Sequence, residues 1–263
     1  MHRFTRQLLA AGRLSFCVLA LAMLLPAFAD PAPAQMKLFL LIGQSNMAGR
    51  GKVEPQDQVV NPHIFMLTKD LKWVPATDPL HFDKPGAAGV GPGSEFAREI
   101  LKADPNVTIG LIPCAVGGTS LDQWKAGEPL YNSAVARTKE AMKQGKLAGI
   151  LWHQGESDSG NPDKVASYAD RLTVMVGQLR KDLQADQAPV VLGELIHGHK
   201  NNDSINVELA AAAKKVPLCG LASSEGLGNK ALHFDSPSAR NFGQRYAAEY
   251  LKLAIEIETA LKK

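Results

Sequence analysis

Four short clusters, three at the ends of apolar runs and one at the start of the last helical pattern, together hold the groups that acyl transfer needs. The first is Gly43-Gln44-Ser45-Asn46-Met47-Ala48-Gly49, where the run Phe39-Leu40-Leu41-Ile42 stops at a break with one serine in its middle. A buried strand ends this way when its last residue is presented at the edge of a sheet. In α/β enzymes the crevice beyond the carboxyl ends of the strands takes the ligand. Ser45 is therefore in position to be a nucleophile, although a Gly-Gln-Ser-Asn turn could instead cap a following helix.

The second cluster is Ala115-Val116-Gly117-Gly118-Thr119-Ser120. Two glycines let the backbone approach a ligand closely and turn N–H groups inward, as an oxyanion site requires; an ordinary glycine turn is the plainer reading. The third is Trp152-His153-Gln154-Gly155-Glu156-Ser157-Asp158. Unpaired polar groups cost several kcal/mol at a half-buried strand end, so they do not gather there without partners. Capping of a helix near 162 accounts for Asp158, but not for His153, Gln154 and Glu156 together. The fourth is Leu232-His233-Phe234-Asp235-Ser236-Pro237, with the proline suited to the first position of a helix. His233 then lies on the loop side of that start, either facing the same edge as Ser45 or on the surface.

An alcohol is a poor nucleophile at its own pKa and needs a base within hydrogen-bond reach, and the base needs a carboxylate to orient it. Ser45, His233 and an acid would meet that need. His63 and His81 lack a strand-end setting; His197 and His199 follow a strand and stay as second-line candidates. None of the histidines falls in a convincing metal-ligand spacing, and no cofactor is expected.

The elements that must position these clusters alternate along the chain. Continuous Val/Ile/Leu-rich runs at 37–42, 107–112, 147–152, 189–195 and 217–222 read as strands covered on both faces. Helical patterns lie near 93–104, 131–145, 162–186, 202–215 and 237–261, which implies a parallel sheet with helices on both sides. Residues 50–92 break the rhythm with Pro, Gly and Asp and read as a long excursion over the active face.

Residues 1–29 read as a cleaved secretory signal peptide: Arg3, Arg6 and Arg13, an apolar run from Leu14 to Leu25, then Ala27-Phe28-Ala29. That run of about 12 residues is short of the roughly 20 that span a bilayer, so the mature form carries no membrane anchor and is secreted or periplasmic. A Pro/Ala linker at 30–36 leads to a single domain at 37–263. The chain has 29 basic and 26 acidic residues; the leader takes three arginines and no acid, so the remainder is formally neutral. Nothing in that balance points to nucleic acid. Spacing alone leaves open whether Cys114 and Cys219 pair.

The four clusters, in this order, resemble the SGNH hydrolase superfamily, and more closely its branch of carbohydrate O-acetylesterases that includes sialate O-acetylesterase and certain acetylxylan esterases. The resemblance runs over residues 37–255. It implies a three-layer α/β/α flavodoxin-like fold with a central parallel sheet, and hydrolysis of acetyl esters on carbohydrates without metal. Ser45 maps to the nucleophile and His233 to the base; the N–H groups of Ser45 and Gly117 or Gly118, with the Gln154 side chain, map to the oxyanion hole. Many members place an aspartate three residues before the histidine, where this chain has Lys230, a donor-only side chain. Glu156 is then the expected acid, with Asp235 as the fallback. Asn46, Trp124 and His153 are candidate substrate contacts, with Trp73 and Trp124 able either to stack on a sugar or to pack. The alternatives are a lipid or thioester hydrolase of the same superfamily, or a glycan-binding protein that kept the fold and lost turnover.

Overall fold

The computed structural model describes residues 35–199 and 201–261. The expected leader and residues 30–34 of the linker lie outside these. Among the described residues no helix is long and apolar enough to cross a membrane.

The run Met36–Gly43 (β1) forms the central strand because nearly every side chain in it is apolar and both of its faces are covered. Leu38, Leu40 and Ile42 point to one side and Phe39 and Leu41 to the other, as the two-residue period of a strand requires. After β1 come the single turn Ser45–Ala48 (α1), the strands Ile64–Leu67 (β2) and Trp73–Pro75 (β3), the helix Gly93–Ala103 (α2) and the strand Ile109–Pro113 (β4). Pro129–Ala141 (α3), Gly145–His153 (β5), Pro162–Ala166 (α4), Tyr168–Asp182 (α5), Val190–Gly193 (β6) and Asn202–Lys215 (α6) follow. The chain closes with Cys219–Ala222 (β7), the hairpin Asn229–Lys230 (β8) and His233–Phe234 (β9), and the helix Ser236–Leu261 (α7).

The large sheet runs β3-β2-β4-β1-β5-β6-β7, parallel throughout except for the β2–β3 pair. Without the β2–β3 hairpin the order is the 2-1-3-4-5 winding of a flavodoxin-like fold, whose ligand crevice lies where the winding reverses. That reversal is at β1, so the strand carrying Ser45 ends in the crevice.

Two apolar layers hold the helices on. One packs Leu38, Leu40 and Ile42 against Tyr131 and Ala134 of α3, Leu172 and Met175 of α5, and Leu209 of α6. The other packs Phe39 and Leu41 against Phe96 and Ile100 of α2 and Phe242, Tyr246 and Tyr250 of α7. Phe39 meets Phe96 and Tyr250 edge-on, with ring centroids 4.9 and 5.1 Å away. Each fully buried side chain of this size contributes roughly 1.5–3 kcal/mol.

Two expectations change and one open question closes. The excursion at 50–92 is not all loop: β2 pairs in parallel with β4 and, with β3, extends the sheet by two strands. Its stem is clamped to α7, where Arg240 donates to both oxygens of the fully buried Asp57 at 2.9 and 2.8 Å and to Glu54 at 2.6 Å. The pattern at 162–186 is two helices rather than one. Its break is at Ser167, whose hydroxyl donates back to the Asp163 carbonyl and offers the backbone an alternative to a continuous helix. Finally, Cys114 and Cys219 are both free thiols; burial pushes them up to about 11 and about 12, so neither is a reactive thiolate near neutral pH.

Candidate active site

At the end of β1 the chain turns sharply. Gly43 has φ +129, and a Cβ there would overlap the His153 carbonyl on β5. Only glycine allows that approach, and the next N–H, on Gln44, then donates to the same carbonyl at 2.8 Å. This turn delivers Ser45 to the first position of α1 at the rim of the sheet. Its hydroxyl lies 3.0 Å from Nε2 of His233, which arrives from the far end of the chain on β9. Burial lowers the pKa of His233, Arg50 nearby lowers it further, and Glu156 opposes both. The imidazole is thereby kept neutral near pH 7, in a form able to accept a proton.

Neither expected acid makes a hydrogen bond to His233 among the described residues. Asp235 accepts the Ser238 N–H at 2.9 Å and so caps the start of α7. Glu156 faces the histidine loop across Asn46. The Asn46 amide nitrogen donates to Glu156 Oε1 at 2.7 Å and to the Leu232 carbonyl at 3.2 Å, and its oxygen accepts the Phe234 N–H at 3.2 Å. Glu156 Oε1 is also 3.6 Å from His153 Nε2. Burial pushes the Glu156 carboxyl up, but His153 and the Asn46 hydrogen bond outweigh it and hold the group below the usual carboxylate range. Glu156 therefore carries its charge close to His233 without touching it. The hairpin that carries His233 pairs Lys230 with His233 across the β8–β9 ladder.

On the oxyanion side, two of the expected donors are already spent. Gln154 is fully buried, and its amide nitrogen faces Gln44 Oε1, the Thr119 carbonyl and Asp158 Oδ2 at 3.2, 3.0 and 2.8 Å. Its oxygen accepts the Tyr168 hydroxyl at 2.9 Å. Gln154 thus holds the second cluster against the third. Asp158 helps by accepting the Leu121 N–H at 2.8 Å, and Thr119 accepts the indole N–H of Trp124 at 3.0 Å. The Gly117 N–H donates to Asp83 Oδ2 at 2.8 Å. The N–H groups of Ser45 and Gly118 are the two of this group with no hydrogen bond among the described residues.

Asp83 and Arg50 were not among the residues singled out from sequence. Asp83 comes from the excursion, 38 positions beyond Ser45, and no local pattern marks it. Arg50 directly follows the first cluster and was the available signal. The two form a 2.7 Å ion pair with side chains 1% and 9% exposed, packed beside Gly117, whose Cβ position is 3.4 Å from Ser45 Cβ. Burial opposes ionisation of Asp83, but Arg50 and the Gly117 N–H hold it below the usual carboxylate range. Breaking such a pair from one side leaves a buried charge unmatched. Asp83→Ala is expected to cost about 3 kcal/mol of stability, read as the shift in a urea unfolding midpoint at unchanged slope. A loss under about 1 kcal/mol would mean that Arg50 finds water or another partner.

The candidate substrate contacts are enclosed. Trp124 is 1% exposed and packs edge-on to Trp152; His153 is fully buried with Nδ1 3.3 Å from the Tyr246 hydroxyl; Asn46 is 5% exposed. None of the three offers a face to a sugar ring. Trp73 is half-buried against the core. His197, a second-line candidate, lies 3.0 Å from Glu194, just beyond β6 and two strands from β1, and makes no hydrogen bond to Ser45. No group of three or more metal-binding side chains occurs among the described residues.

Comparison with known proteins bears on this geometry. Residues 35–252 match a family model described as carbohydrate esterase, sialic acid-specific acetylesterase. A probable carbohydrate esterase of Arabidopsis thaliana is 33% identical over 246 residues, which is 86% of this chain and 94% of that protein. The X-ray structure of an Arabidopsis thaliana protein superposes with a TM-score of 0.78 at 32% identity, covering 83% of this chain and 98% of the other. NanS superposes with a TM-score of 0.72 at 19% identity, covering 86% of this chain and all of NanS, a likeness of fold.

Proposed function

The chain belongs to the carbohydrate esterase family of the sialic acid-specific acetylesterases, and from that premise we propose that it is an exported serine esterase that removes O-acetyl groups from carbohydrates. The observation that carries the mechanism is the 3.0 Å contact between Ser45 Oγ and His233 Nε2 at the carboxyl end of the central strand.

Ser45 Oγ attacks the acetyl carbonyl while His233 Nε2 takes its proton. The oxygen of the tetrahedral intermediate is met by the N–H groups of Ser45 and Gly118, the two expected donors with no hydrogen bond among the described residues. The intermediate collapses, His233 returns the proton to the departing sugar oxygen, and an acetyl-Ser45 ester remains. Water then repeats the sequence, deprotonated by His233, and releases acetate. Glu156 stabilises the imidazolium through its charge; this agrees with its raising effect on His233. Export rests on the leader pattern of residues 1–29.

A small acyl group is favoured by the surroundings of Ser45, itself 8% exposed and closed on one side by the Arg50–Asp83 pair. Aryl esters of increasing acyl length, with acetate release from acetylated xylan and O-acetylated sialic acid alongside, test the substrate class. Turnover is expected to fall about tenfold or more from acetyl to butyryl, with acetate released from at least one of the glycans. Equal rates on long acyl chains would instead favour a lipid or thioester hydrolase. Binding of acetylated glycan with no acetate released would mean a non-catalytic binding protein.

A further inference from the structure

We propose that Asn46 is a positioning residue for His233: its carboxamide ties the two peptide groups that flank His233 to the Glu156 carboxylate, so Glu156 acts on the base through Asn46. This rests on the reading of Ser45 and His233 as nucleophile and base.

A carboxamide has one acceptor and two N–H donors in a single plane. Asn46 spends all three on long-range partners: the Phe234 N–H, the Leu232 carbonyl and Glu156 Oε1. Residues 232 and 234 bracket the histidine. With the peptide groups on both sides fixed to the residue that follows the nucleophile, the Cα of His233 has little freedom to shift relative to Ser45.

The hairpin needs such a tether. It pairs two residues with two, turns through Ala231 at φ +59, and leaves Leu232 45% exposed. A two-stranded hairpin of this size is not stable by itself. On the other side, the 2.7 Å bond to a carboxylate is charge-assisted and is the strongest of the three.

Two plainer roles do not fit. Asn46 lies within α1, yet its side chain makes no bond inside that turn, so it is not a helix cap. At 5% exposure with every polar group engaged, it has nothing left for a substrate. Among residues of this size only asparagine serves two acceptors and a donor together. An aspartate would set a second carboxylate against Glu156, and an alanine would release all three partners.

The test is kinetic, on an aryl acetate with the full chain, thermal unfolding being followed in parallel. Asn46→Ala is expected to lower kcat about 100-fold, the size of effect that misplacing a catalytic group by about 1 Å produces, with KM within about threefold. The decisive comparison exchanges donor and acceptor. In Asn46→Asp two carboxylates oppose each other, and kcat is expected to fall as far as in Asn46→Ala. In Asn46→Asp with Glu156→Gln, the introduced amide donates to the introduced carboxylate, which still accepts the Phe234 N–H and keeps one negative charge beside the histidine. That pair is expected to recover about tenfold or more in kcat over Asn46→Asp alone.

A purely structural role would lower the unfolding temperature and leave the kcat of the folded fraction unchanged, which would overturn the proposal. So would a double variant no faster than Asn46→Asp. Should Asn46→Ala fail to fold, the two near-isosteric variants decide by themselves. Ser45→Ala and His233→Ala serve as references: if they are inactive while the Asn46 series shows no kcat effect, this inference fails and the nucleophile and base assignment stands. If they retain activity, that assignment fails first.

Discussion

Ser45→Ala is expected to lower kcat on acetyl esters by on the order of 10^5-fold while leaving the protein folded, because it removes the oxygen that the proposed mechanism acetylates. Among the described residues the hydroxyl has one hydrogen-bond partner, Nε2 of His233, and that imidazole is half-buried, so water can replace the lost contact. The stability cost should therefore stay near 1 kcal/mol, within the usual range for a single neutral hydrogen bond. The main strand contacts are untouched, since the turn is set by Gly43 and the Gln44 N–H rather than by the serine side chain. Some rate above that in water should persist through the unbonded N–H groups and His233. Substrate binding measured with the inactive variant should be close to that of the parent. A retained kcat within tenfold would remove Ser45 from the mechanism.

The second large effect concerns the charge behind the base. Glu156→Gln keeps the shape of the side chain and an oxygen that can accept the Asn46 N–H, but removes the negative charge. Since Glu156 raises the pKa of His233 against burial and Arg50, its neutralisation lowers that pKa further. The sign has two consequences. The acid limb of kcat/KM, which marks protonation of the free base, moves to lower pH. At the plateau kcat falls about tenfold to a hundredfold, because the imidazolium formed on attack has lost its counter-charge, each tenfold being 1.36 kcal/mol. The loss should be smaller than for an acid bonded directly to the imidazole, which also holds the tautomer. Asp235→Asn is the control: its carbonyl oxygen still accepts the Ser238 N–H, so the change should cost less than about 1 kcal/mol, through the charge lost at the helix N-terminus, and leave the pH profile in place. An unimpaired Glu156→Gln beside an inactive Asp235→Asn would reverse the two assignments.

Much of the fold could be read from the chain because its five main strands are unbroken apolar runs separated by helical patterns. A parallel sheet between two layers of helices followed from that alternation, and the flavodoxin-like arrangement from the family resemblance. β2 was harder, since Ile64-Phe65-Met66-Leu67 is a four-residue run inside a Pro- and Asp-rich stretch with only its ends buried. The approach of Ser45 and His233 was legible from their positions beside strand and helix ends, 188 residues apart.

Burial was what the sequence could not express. Gln154 at a strand end suits a donor to an oxyanion and a donor to a neighbouring loop equally well. Only its enclosure among Gln44, Thr119, Asp158 and Tyr168 separates them. Trp124 and His153 are the same case: their types suit a sugar, and the structure places both in the interior. Asp83 lacked any signal, because its meaning comes wholly from Arg50 and the Gly117 N–H, which a long excursion brings to it.

The central claim is the covalent acetyl-Ser45 intermediate. Rapid acid quench of the protein during turnover of an aryl acetate, followed by proteolysis and mass spectrometry, examines it directly. One acetyl group on the peptide that carries Ser45, formed in the parent protein during turnover and absent from Ser45→Ala, is the expected result. An acetyl group on another residue, or undiminished acetate release from Ser45→Ala, would contradict it.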